Sequence, residues 1–319
     1  MPGAARVRLE HLTFTHLTWS EPSSPSGYVD LQSGYFFPGI NPKDDFSTLN
    51  GVPGAVYVHG ARDVSVTNCT FSQLGTSGVV VDGGSQRVAI TASTFSDISG
   101  NGIGLGNVSD PLLPPSKEDA YLTVANNTIR DTGAEYSGCA GVVAGYVSHA
   151  DIVNNDIANT SNGAICLGWG WGANNTMRSN TVSRNKIVRS NTILYDCGSI
   201  YTLSMQPGSE VSYNYIVDQV LLYGSLYHDA ASGGFHTHHN VVVGGPMWLY
   251  LQWGTMGPVH DIVVEHNYHN QSVAGGCATP KERPTCPSNL TVVNNTLVTG
   301  AAWPQAAMDI AAAAGVQQR

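Results

Sequence analysis

The chain has 319 residues, of which 36 are glycine and only 12% are charged. Its formal net charge of −9 disfavours nucleic acid and an anionic membrane surface as partners, and 14 Lys and Arg residues are too few to neutralise a strongly acidic polymer. Abundant glycine with few charges is typical of many short strands joined by tight turns. No apolar run reaches the length that spans a membrane.

One short pattern recurs ten times along the chain. Each copy is an alternating aliphatic stretch that ends in a polar residue, and a large apolar residue usually stands two positions further on. From the second copy onward, successive copies are 24 to 34 residues apart, a period typical of a parallel solenoid of short strands. The copies run from Val7 to Phe14, Val64 to Phe71, Val88 to Phe95, Leu122 to Ile129, Ala150 to Ile157, Asn180 to Ile187, Ser209 to Ile216, Phe235 to Val242, Ile262 to His269 and Leu290 to Leu297.

The polar position of the later copies is nearly always asparagine. In stacked coils a side-chain amide can donate to one neighbouring coil and accept from the other, so the column predicts a structural ladder at a sharp turn. A glycine then opens a second short apolar strand, as at Gly102–Leu105 and Gly198–Tyr201, and the period leaves room for a third strand. The ladder residues are Asn127, Asn155, Asn185, Asn214, Asn240, Asn267 and Asn295.

These features predict an all-β chain folded as a right-handed parallel β-helix of about ten coils, because parallel crossovers are overwhelmingly right-handed. We interpret residues 1–319 as a single β-helix domain. The first copy starts at Val7 with no cap before it, so we expect the chain to be the C-terminal part of a longer protein.

Two segments depart from the repeat. Residues 15–63 form an insertion with five prolines, and a loop of that length on a regular scaffold is expected to be functional or to act as a lid. Residues 303–316 begin with Trp-Pro and are rich in alanine, which predicts a short helix. We expect that helix to cap the C-terminal end, because the open strand edges of a solenoid need to be covered.

Cysteines and glycosylation motifs bear on the cellular location. Six cysteines are too few and too scattered for a disulfide framework. Cys277 and Cys286 are spaced for a loop staple, and the pairing of Cys139 with Cys197 stays open. Eight Asn-x-Ser/Thr motifs favour a secreted or cell-surface glycoprotein. Those expected in loops are Asn107, Asn159, Asn174 and Asn270.

Aromatic residues follow the glycine-opened strands of consecutive coils, so they are expected to share one region of the lateral surface. Trp169 and Trp171 alternate with glycines, and their rings are either exposed for stacking on sugar rings or packed under a loop. The candidate substrate-binding residues are Trp169, Trp171, Tyr201, Tyr227, Glu135 and His228. Other aromatic residues of this region are Tyr146, Tyr195, Tyr223, Trp248, Tyr250 and Trp253.

Two carboxylates, Asp196 and Asp229, stand in the same region. Glycoside hydrolysis needs such a pair, one acid to protonate the leaving oxygen and one to act as nucleophile or base. If Tyr201 and Tyr227 align on adjacent coils, Asp196 lies seven positions before Asp229. The turn at Cys197 must then fold Asp196 back, the coils must be offset, or another acid must take part. The alternative acids are Glu135, Asp218 and Asp97.

A histidine group resembles a metal site at first sight. On a strand, His236 and His238 share one face while His239 points away. No nearby acid completes the set, and no paired-cysteine zinc motif occurs, so we predict neither a metal site nor a cofactor.

Five segments together have a family likeness, namely Gly27–Gln32, Leu74–Gly78, Gly168–Gly172, Asp196–Thr202 and Tyr227–Asp229. They resemble the right-handed β-helix proteins of glycoside hydrolase family 141 and its relatives over most of residues 7–316. The resemblance implies an α-L-fucosidase-like or xylanase-like enzyme acting on plant polysaccharides such as pectin, with Asp196 and Asp229 as its catalytic acids. The family's Asp-Gly-Gly is Asp196-Cys197-Gly198 here, and Ala230 replaces the acid that usually follows the second Asp.

We therefore expect a secreted, monomeric β-helix that hydrolyses O-glycosyl bonds in a neutral or weakly acidic polysaccharide or oligosaccharide of plant or algal type. Two alternatives stay open, a non-catalytic glycan-binding or cell-surface structural β-helix and a polysaccharide lyase. Lyases that act on polyuronates generally use Ca²⁺ with Lys or Arg. No Lys or Arg cluster occurs in the strands that carry the aromatic residues.

Overall fold

Three parallel sheets run along the molecule. Within each coil the chain passes through a strand of sheet 1, then one of sheet 2 and then one of sheet 3. The computed structural model describes residues 3–25, 27–37, 48–253, 257–275 and 288–317. The arrangement is a parallel β-helix, as predicted, and the third strand for which the period left room is present.

The strands are short, and each sheet contains nearly one strand from every coil. Sheet 1 contains Ala5–Glu10, Arg62–Thr67, Gln86–Thr91, Asp119–Ala125, Val147–Ser148, Asp151–Val153, Thr181–Ser183, Met205–Ser212, Gly233–His238, His260–Glu265 and Ser288–Val293. Sheet 2 contains Thr13–Thr15, Thr70–Leu74, Thr94–Ile98, Thr128–Thr132, Asp156–Thr160, Lys186–Val188, Tyr215–Val217, Val241–Val243, Tyr268–His269 and Thr296–Leu297. Sheet 3 contains Gly54–His59, Ser77–Asp82, Ile103–Leu105, Val142–Ala144, Ile165–Leu167, Ile200–Thr202, Gly224–His228, Met247–Leu251 and Ala274–Gly275.

The asparagine column lines the turn between sheets 1 and 2. Asn185 Nδ2 donates to Asn214 Oδ1 over 3.0 Å, and its own Oδ1 accepts from Asn155 Nδ2 over 2.9 Å. Asn185 also donates to the carbonyl oxygen of Ile152 and accepts from the backbone N–H of Asn155. The same links continue from Asn127 to Asn295, which confirms the predicted ladder. The preceding residue takes a left-handed conformation, with φ of 54° at Arg184, so two residues complete the turn.

In most coils the large apolar residue two positions after the ladder position packs inside the coil, whereas Leu297 of the last copy is 44% exposed. Phe14, Phe71 and Phe95 stack with ring centroids 4.8 and 4.6 Å apart, and the register places Ile129 next in the column. Phe71, Phe95 and Ile129 are completely buried. The repeat pattern in the sequence is therefore the inward-facing column of sheet 2 together with the turn before it.

Part of the long insertion crosses the outer face of sheet 3, and we call residues 27–37 and 48–53 the strap. Asn101 Nδ2 donates to the carbonyl oxygen of Ser33 over 3.0 Å, and the Gly138 N–H donates to the Asp30 carboxylate over 3.0 Å. The strap therefore rests on the loops that precede the strands of sheet 3. Its regular elements are the antiparallel strands Val29–Asp30, Tyr35–Phe37 and Asn50–Gly51 and the 3₁₀ turn Gln32–Gly34, and a further 3₁₀ turn, Glu21–Ser23, precedes it.

The C-terminal helix, Gln305–Ala313, lies along the side of the solenoid. Ala307 and Ile310 pack against Val241 on the outer face of sheet 2, and the Gly315 N–H donates to the carbonyl oxygen of Arg184. The helix is where the sequence predicts one, but its position differs from the expected end cap because its apolar face matches the apolar outer side of sheet 2. No helix in the described ranges is long and apolar enough to cross a membrane.

The cysteines of the described residues are free and buried. Cys197 faces Cys166, with the sulfur atoms 3.4 Å apart, so its nearest thiol is not that of Cys139. Cys69 occupies a ladder position, where its thiol donates to backbone carbonyl oxygens. Cys277 and Cys286, the predicted loop staple, lie outside the described residues.

Candidate active site

The outer face of sheet 3 carries a column of tyrosines. The register pairs Tyr201 with Tyr227 and Tyr227 with Tyr250, which confirms the predicted alignment of the first two. Their neighbours Ile200 and Leu226 belong to the core, so by strand alternation the tyrosines point outward. Ring centroids in the column are 5.1 and 4.8 Å apart with nearly perpendicular planes. The column forms a continuous aromatic wall. Tyr201 and Tyr227 are only 2% and 3% exposed, so the expectation that their rings bind substrate is wrong, because neighbouring side chains cover them.

Asp229 follows the strand Gly224–His228 and lies against this wall. The Tyr201 hydroxyl donates to Asp229 Oδ2, and the Ala230 N–H and the Tyr227 side chain also form hydrogen bonds with the carboxylate. Only 7% of the Asp229 surface is exposed. Burial raises the pKa of the Asp229 carboxyl, while the three hydrogen bonds act in the opposite direction. The Asp229 carboxyl group is therefore almost completely shielded from solvent and accepts three hydrogen bonds.

Asp196 reaches the same site through a tight turn. The Cys197 N–H donates to the carbonyl oxygen of Tyr195 over 2.8 Å, which folds the chain back before the strand Ile200–Thr202. Desolvation, followed by the negative charge of Asp229, raises the pKa of the Asp196 carboxyl. The two carboxyl groups are therefore close enough to interact, and the fold-back is the one of the three alternatives that the structure adopts.

The strap also contacts this turn. Gln32 Nε2 donates to the backbone oxygen of Asp196 over 3.1 Å, a contact between residues 164 positions apart in sequence. Asp196 itself is exposed, whereas Asp229 is buried, so the two acids have different environments within one site. Gln32 was not a candidate at the sequence level, because no local pattern connects it with Asp196.

The two tryptophans have different roles. Trp169 is only 2% exposed, and its ring packs against Tyr35 of the strap at 5.0 Å and against Trp171 at 4.8 Å. The expectation of an exposed sugar-stacking ring at Trp169 is therefore wrong, because the strap covers it. Trp171 is half-buried and packs against the tyrosine cluster, and a Cβ at Gly172 would meet Ala231, just beyond Asp229. Trp171 thus remains at the edge of the site.

His228 faces the interior of the coil and not the substrate side. Its Nδ1 bonds to the Thr202 hydroxyl over 2.8 Å and its Nε2 to the Thr237 hydroxyl over 2.9 Å, and the residue is 1% exposed. Complete burial lowers the pKa of His228 to about 4. The assignment as a substrate-binding residue is therefore incorrect, because both ring nitrogens are occupied within the core.

The other acids considered lie away from Asp196 and Asp229. Glu135 accepts a hydrogen bond from Ser99 and acts electrostatically on Tyr136, two coils towards the N-terminus, at about 10 Å along the axis. Glu135 therefore lies outside the immediate surroundings of Asp196 and Asp229, and its assignment as a substrate-binding residue is not supported. Asp97 lies in the sheet 2 strand Thr94–Ile98 and Asp218 follows the sheet 2 strand Tyr215–Val217, so neither replaces Asp196.

The histidine group lies on the outer face of sheet 1. His236 and His238 share that face, as predicted, with ring centroids 4.0 Å apart. Acids do lie beside them, contrary to the expectation: Glu265 contacts His236 at 3.0 Å and Glu210 contacts His238 at 3.2 Å. Even so, no group of three or more His, Cys, Asp or Glu in the described residues is arranged to hold a metal ion.

Two further tyrosines complete the aromatic wall. The ring of Tyr223 lies 5.2 Å from Tyr227 and 4.9 Å from Tyr250, and it stacks with Tyr195 at 6.2 Å. Burial is the largest cause of the raised pKa of Tyr223, and the negative charges of Asp196 and Asp229 add to it. The Tyr223 hydroxyl therefore lies near both carboxylates. Their aromatic character was visible in the sequence, but their convergence around the acid pair depends on the register of sheet 3.

A three-sheet parallel solenoid with an acid pair on one lateral face places the chain in a recognised class of β-helix proteins. The chain belongs to the family described as right handed beta helix region, whose model matches residues 54–302. The family assignment agrees with the predicted right-handed winding. No curated protein sequence matches the chain.

Two solved structures share the fold. One is described as a glycoside hydrolase, with 26% identity and a TM-score of 0.74 over 99% of this chain and 51% of that one. The other is the GH136 lacto-N-biosidase from Eubacterium ramulus, with 11% identity and a TM-score of 0.56 over 93% of this chain and 61% of that one. The second likeness shows the fold alone. The chain spans about half the length of the first structure.

Proposed function

We propose that this chain carries the active site of a glycoside hydrolase that cleaves O-glycosyl bonds in a polysaccharide or oligosaccharide. The observation that carries the proposal is that Asp196 and Asp229, from neighbouring coils, lie near enough for the charge of Asp229 to raise the pKa of Asp196, beside a wall of tyrosines. The likeness to a glycoside hydrolase over nearly the whole of this chain supports it. The specific assignment to glycoside hydrolase family 141 is part of the proposal.

The environments of the two carboxyl groups favour different roles. Burial raises the pKa of Asp229, but the hydrogen bonds from Tyr201, Tyr227 and the Ala230 N–H oppose that rise by stabilising the ionised form, so we assign Asp229 as the nucleophile or general base. Asp196 is exposed as a residue, yet partial desolvation of its carboxyl group and the negative charge of Asp229 both raise its pKa and favour its protonated form. We therefore assign Asp196 as the general acid that donates a proton to the leaving oxygen.

In this mechanism the other residues of the site mainly orient the two carboxyl groups and the sugar. A glycosidic oxygen placed beside Asp196 accepts its proton while positive charge develops on the sugar ring, and the Asp229 carboxylate stabilises that charge or activates water. The Tyr201 hydroxyl and the Gln32 amide hold the carboxyl group of Asp229 and the backbone of Asp196, respectively. Tyr201 and Tyr227 are buried, so the partly exposed rings of Trp171, Tyr223 and Tyr250 are the ones that offer flat faces to the C–H surface of a sugar.

The substrate we propose is a neutral or weakly acidic glycan of plant or algal type. Asp196 and Asp229 place negative charge in the site, and the aromatic wall of Tyr201, Tyr227 and Tyr250 contributes no cation that would pair with a uronate. A polyuronate chain would therefore meet repulsion there.

The proposal is tested by release of reducing sugar from aryl glycosides, xylans and pectic fragments. Asp196→Asn and Asp229→Asn should each reduce hydrolysis at least 100-fold, because each removes one of the two proton-transfer or nucleophilic groups. The matched control is Asp97→Asn, which changes an exposed acid on sheet 2 and should leave activity unchanged.

Three results would overturn the proposal. Equal activity of both site variants and wild type would exclude the acid pair. An unsaturated product absorbing in the ultraviolet, formed only with Ca²⁺, would show a lyase. Glycan binding without hydrolysis, unchanged in both variants, would show a binding or structural β-helix.

A further inference from the structure

A cleft lies on the outer face of sheet 3, nearer the N-terminus than the acid pair. Its volume is about 700 Å³. The register aligns Tyr57, Val80 and Gly104 on consecutive coils along its floor, and the strap residues Tyr35 and Phe36 line one wall. Gly104 deepens the cleft, because it contributes no side chain to the floor where its neighbours have a tyrosine and a valine.

The lining of this cleft has the chemistry of a sugar site. The aromatic rings of Trp19, Tyr35, Phe36 and Tyr57 border it, together with polar groups such as Asp82. Apolar rings with a few directed polar groups suit the alternating C–H and hydroxyl surface of a saccharide. None of its described lining residues is Lys or Arg, so an acidic sugar would find no counter-charge there.

The polar end of the cleft is held in a fixed arrangement. The Tyr57 hydroxyl donates to Asp82 Oδ2 over 2.9 Å, and His59 Nδ1 bonds to Asp82 Oδ1 at 2.6 Å. Two side chains from the adjacent coil thus orient the Asp82 carboxylate. Each carboxylate oxygen accepts more than one hydrogen bond, so Asp82 keeps acceptor capacity for sugar hydroxyls. The Tyr57 ring is 46% exposed and offers a stacking face beside it.

The cleft and the acid pair lie on the same face and share the strap. Three coil spacings, through Val143 and Cys166, separate Gly104 from Tyr201, which is about 14 Å along the axis. Tyr35 of the strap borders the cleft and packs against Trp169, while Gln32 contacts Asp196. Val143 and Cys166 are buried and Tyr35 packs against their cluster, so a glycan would reach both places by passing over the strap.

We propose that this cleft is a distal binding site for a neutral oligosaccharide segment, several sugar units from the bond that Asp196 and Asp229 cleave. As a subsite for the cleaved chain the inference rests on the proposed hydrolase function, but glycan binding in the cleft is measurable without it. The aromatic floor and walls hold the sugar rings, and Asp82 accepts their hydroxyl protons. Its role is to retain long substrates and to exclude polyuronates.

The test is to fill the cleft from its floor with Gly104→Phe. A Cβ at Gly104 would have only Val80 within 4 Å, at an ordinary contact distance of 3.5 Å, and the backbone there is not left-handed, so the new ring has room to enter the cleft. The matched control is Gly300→Phe, which adds the same ring where a Cβ would meet nothing within 4 Å. Tyr57→Ala is the second variant, because it removes a stacking ring and an Asp82 partner without adding bulk. Circular dichroism checks that each variant is folded.

Binding is measured in the Asp229→Asn background, so that turnover does not interfere, by affinity electrophoresis with xylan, xyloglucan, galactomannan and polygalacturonate. At least one neutral polymer should bind, at least tenfold more weakly to Gly104→Phe and Tyr57→Ala than to the Gly300→Phe control. Polygalacturonate should bind more weakly than that polymer. In the active enzyme, Gly104→Phe should raise KM for the polymer while turnover of a short aryl glycoside stays unchanged.

The outcomes separate this inference from the proposed hydrolase. Loss of binding in Gly104→Phe and Tyr57→Ala, in a chain that hydrolyses nothing, would support glycan binding in the cleft and count against the enzyme. Hydrolysis abolished by Asp229→Asn, with Gly104→Phe identical to the control in binding and KM, would support the enzyme and overturn the distal site. Absence of binding to every neutral polymer, or a preference for polygalacturonate, would overturn it as well.

Discussion

His228 makes the stability of the β-helix depend on pH in a calculable way. Its pKa is lowered from 6.5 to about 4, because the neutral ring is sealed between Thr202 and Thr237 in the core. An unfolded chain takes up a proton at His228 near pH 6.5, whereas the folded chain resists protonation down to about pH 4. Stability is therefore lost as the pH falls through this window. The difference of about 2.5 units corresponds to about 3 kcal/mol, at about 1.4 kcal/mol per unit.

The variant His228→Gln isolates this contribution. Glutamine does not titrate, and its amide keeps one donor group and one acceptor for the two threonine hydroxyls. Urea unfolding at pH 7 and pH 4, followed by circular dichroism, gives the free energy of unfolding at each pH. Between these pH values wild type should lose about 3 kcal/mol more than His228→Gln.

The control His16→Gln removes an exposed histidine on the first coil and should show the same pH dependence as wild type. Parallel pH dependences of wild type and His228→Gln, within about 1 kcal/mol, would refute the reasoning.

The ladder, the stacked core and the acid pair each give a further expected outcome. Asn185→Ala removes four hydrogen bonds to neighbouring coils and should lower the free energy of unfolding in urea by about 4 kcal/mol, at about 1 kcal/mol per bond; a loss below about 1 kcal/mol would contradict the ladder's role. Phe95→Ala opens a cavity beside Phe71 and should cost about 3–5 kcal/mol in the same assay, so an unchanged unfolding midpoint would count against the packing described. Tyr201→Phe removes a donor that lowers the pKa of Asp229, so the acidic limb of the kcat/KM profile should move to higher pH, and a stationary limb would exclude Asp229 as the ionised group.

The fold was predictable because its main determinants repeat within each coil. The ladder asparagine and the apolar residue two positions later are local in sequence, and stacking multiplies one short pattern into a turn and a core column. The position of the C-terminal helix was not predictable in the same way. A short helix with an apolar face formed by Ala307 and Ile310 can cover an end or a side, and the partner surface on sheet 2 decides between them.

The parts of the site that follow from the register of adjacent strands could be predicted from the sequence. The parts that depend on contacts with distant chain segments could not. The alignment of Tyr201 with Tyr227 follows from the repeat, and so does the outward direction of both rings. The burial of Trp169 depends on Tyr35, which lies far away in the insertion. The acids beside His236 and His238 come from adjacent coils and escape inspection of the local sequence.

The hydrogen bond from Gln32 to Asp196 has a consequence for the order in which the molecule matures. Neighbouring coils assemble through contacts between residues about 30 positions apart, and such local contacts form early and propagate along the array. The strap closes a loop of 164 residues, whose entropy must be overcome before the contact is made. We therefore expect the solenoid to form first as a scaffold and the surroundings of Asp196 to be completed last. The proposed hydrolase activity would then be gained in a step slower than the gain of β-structure.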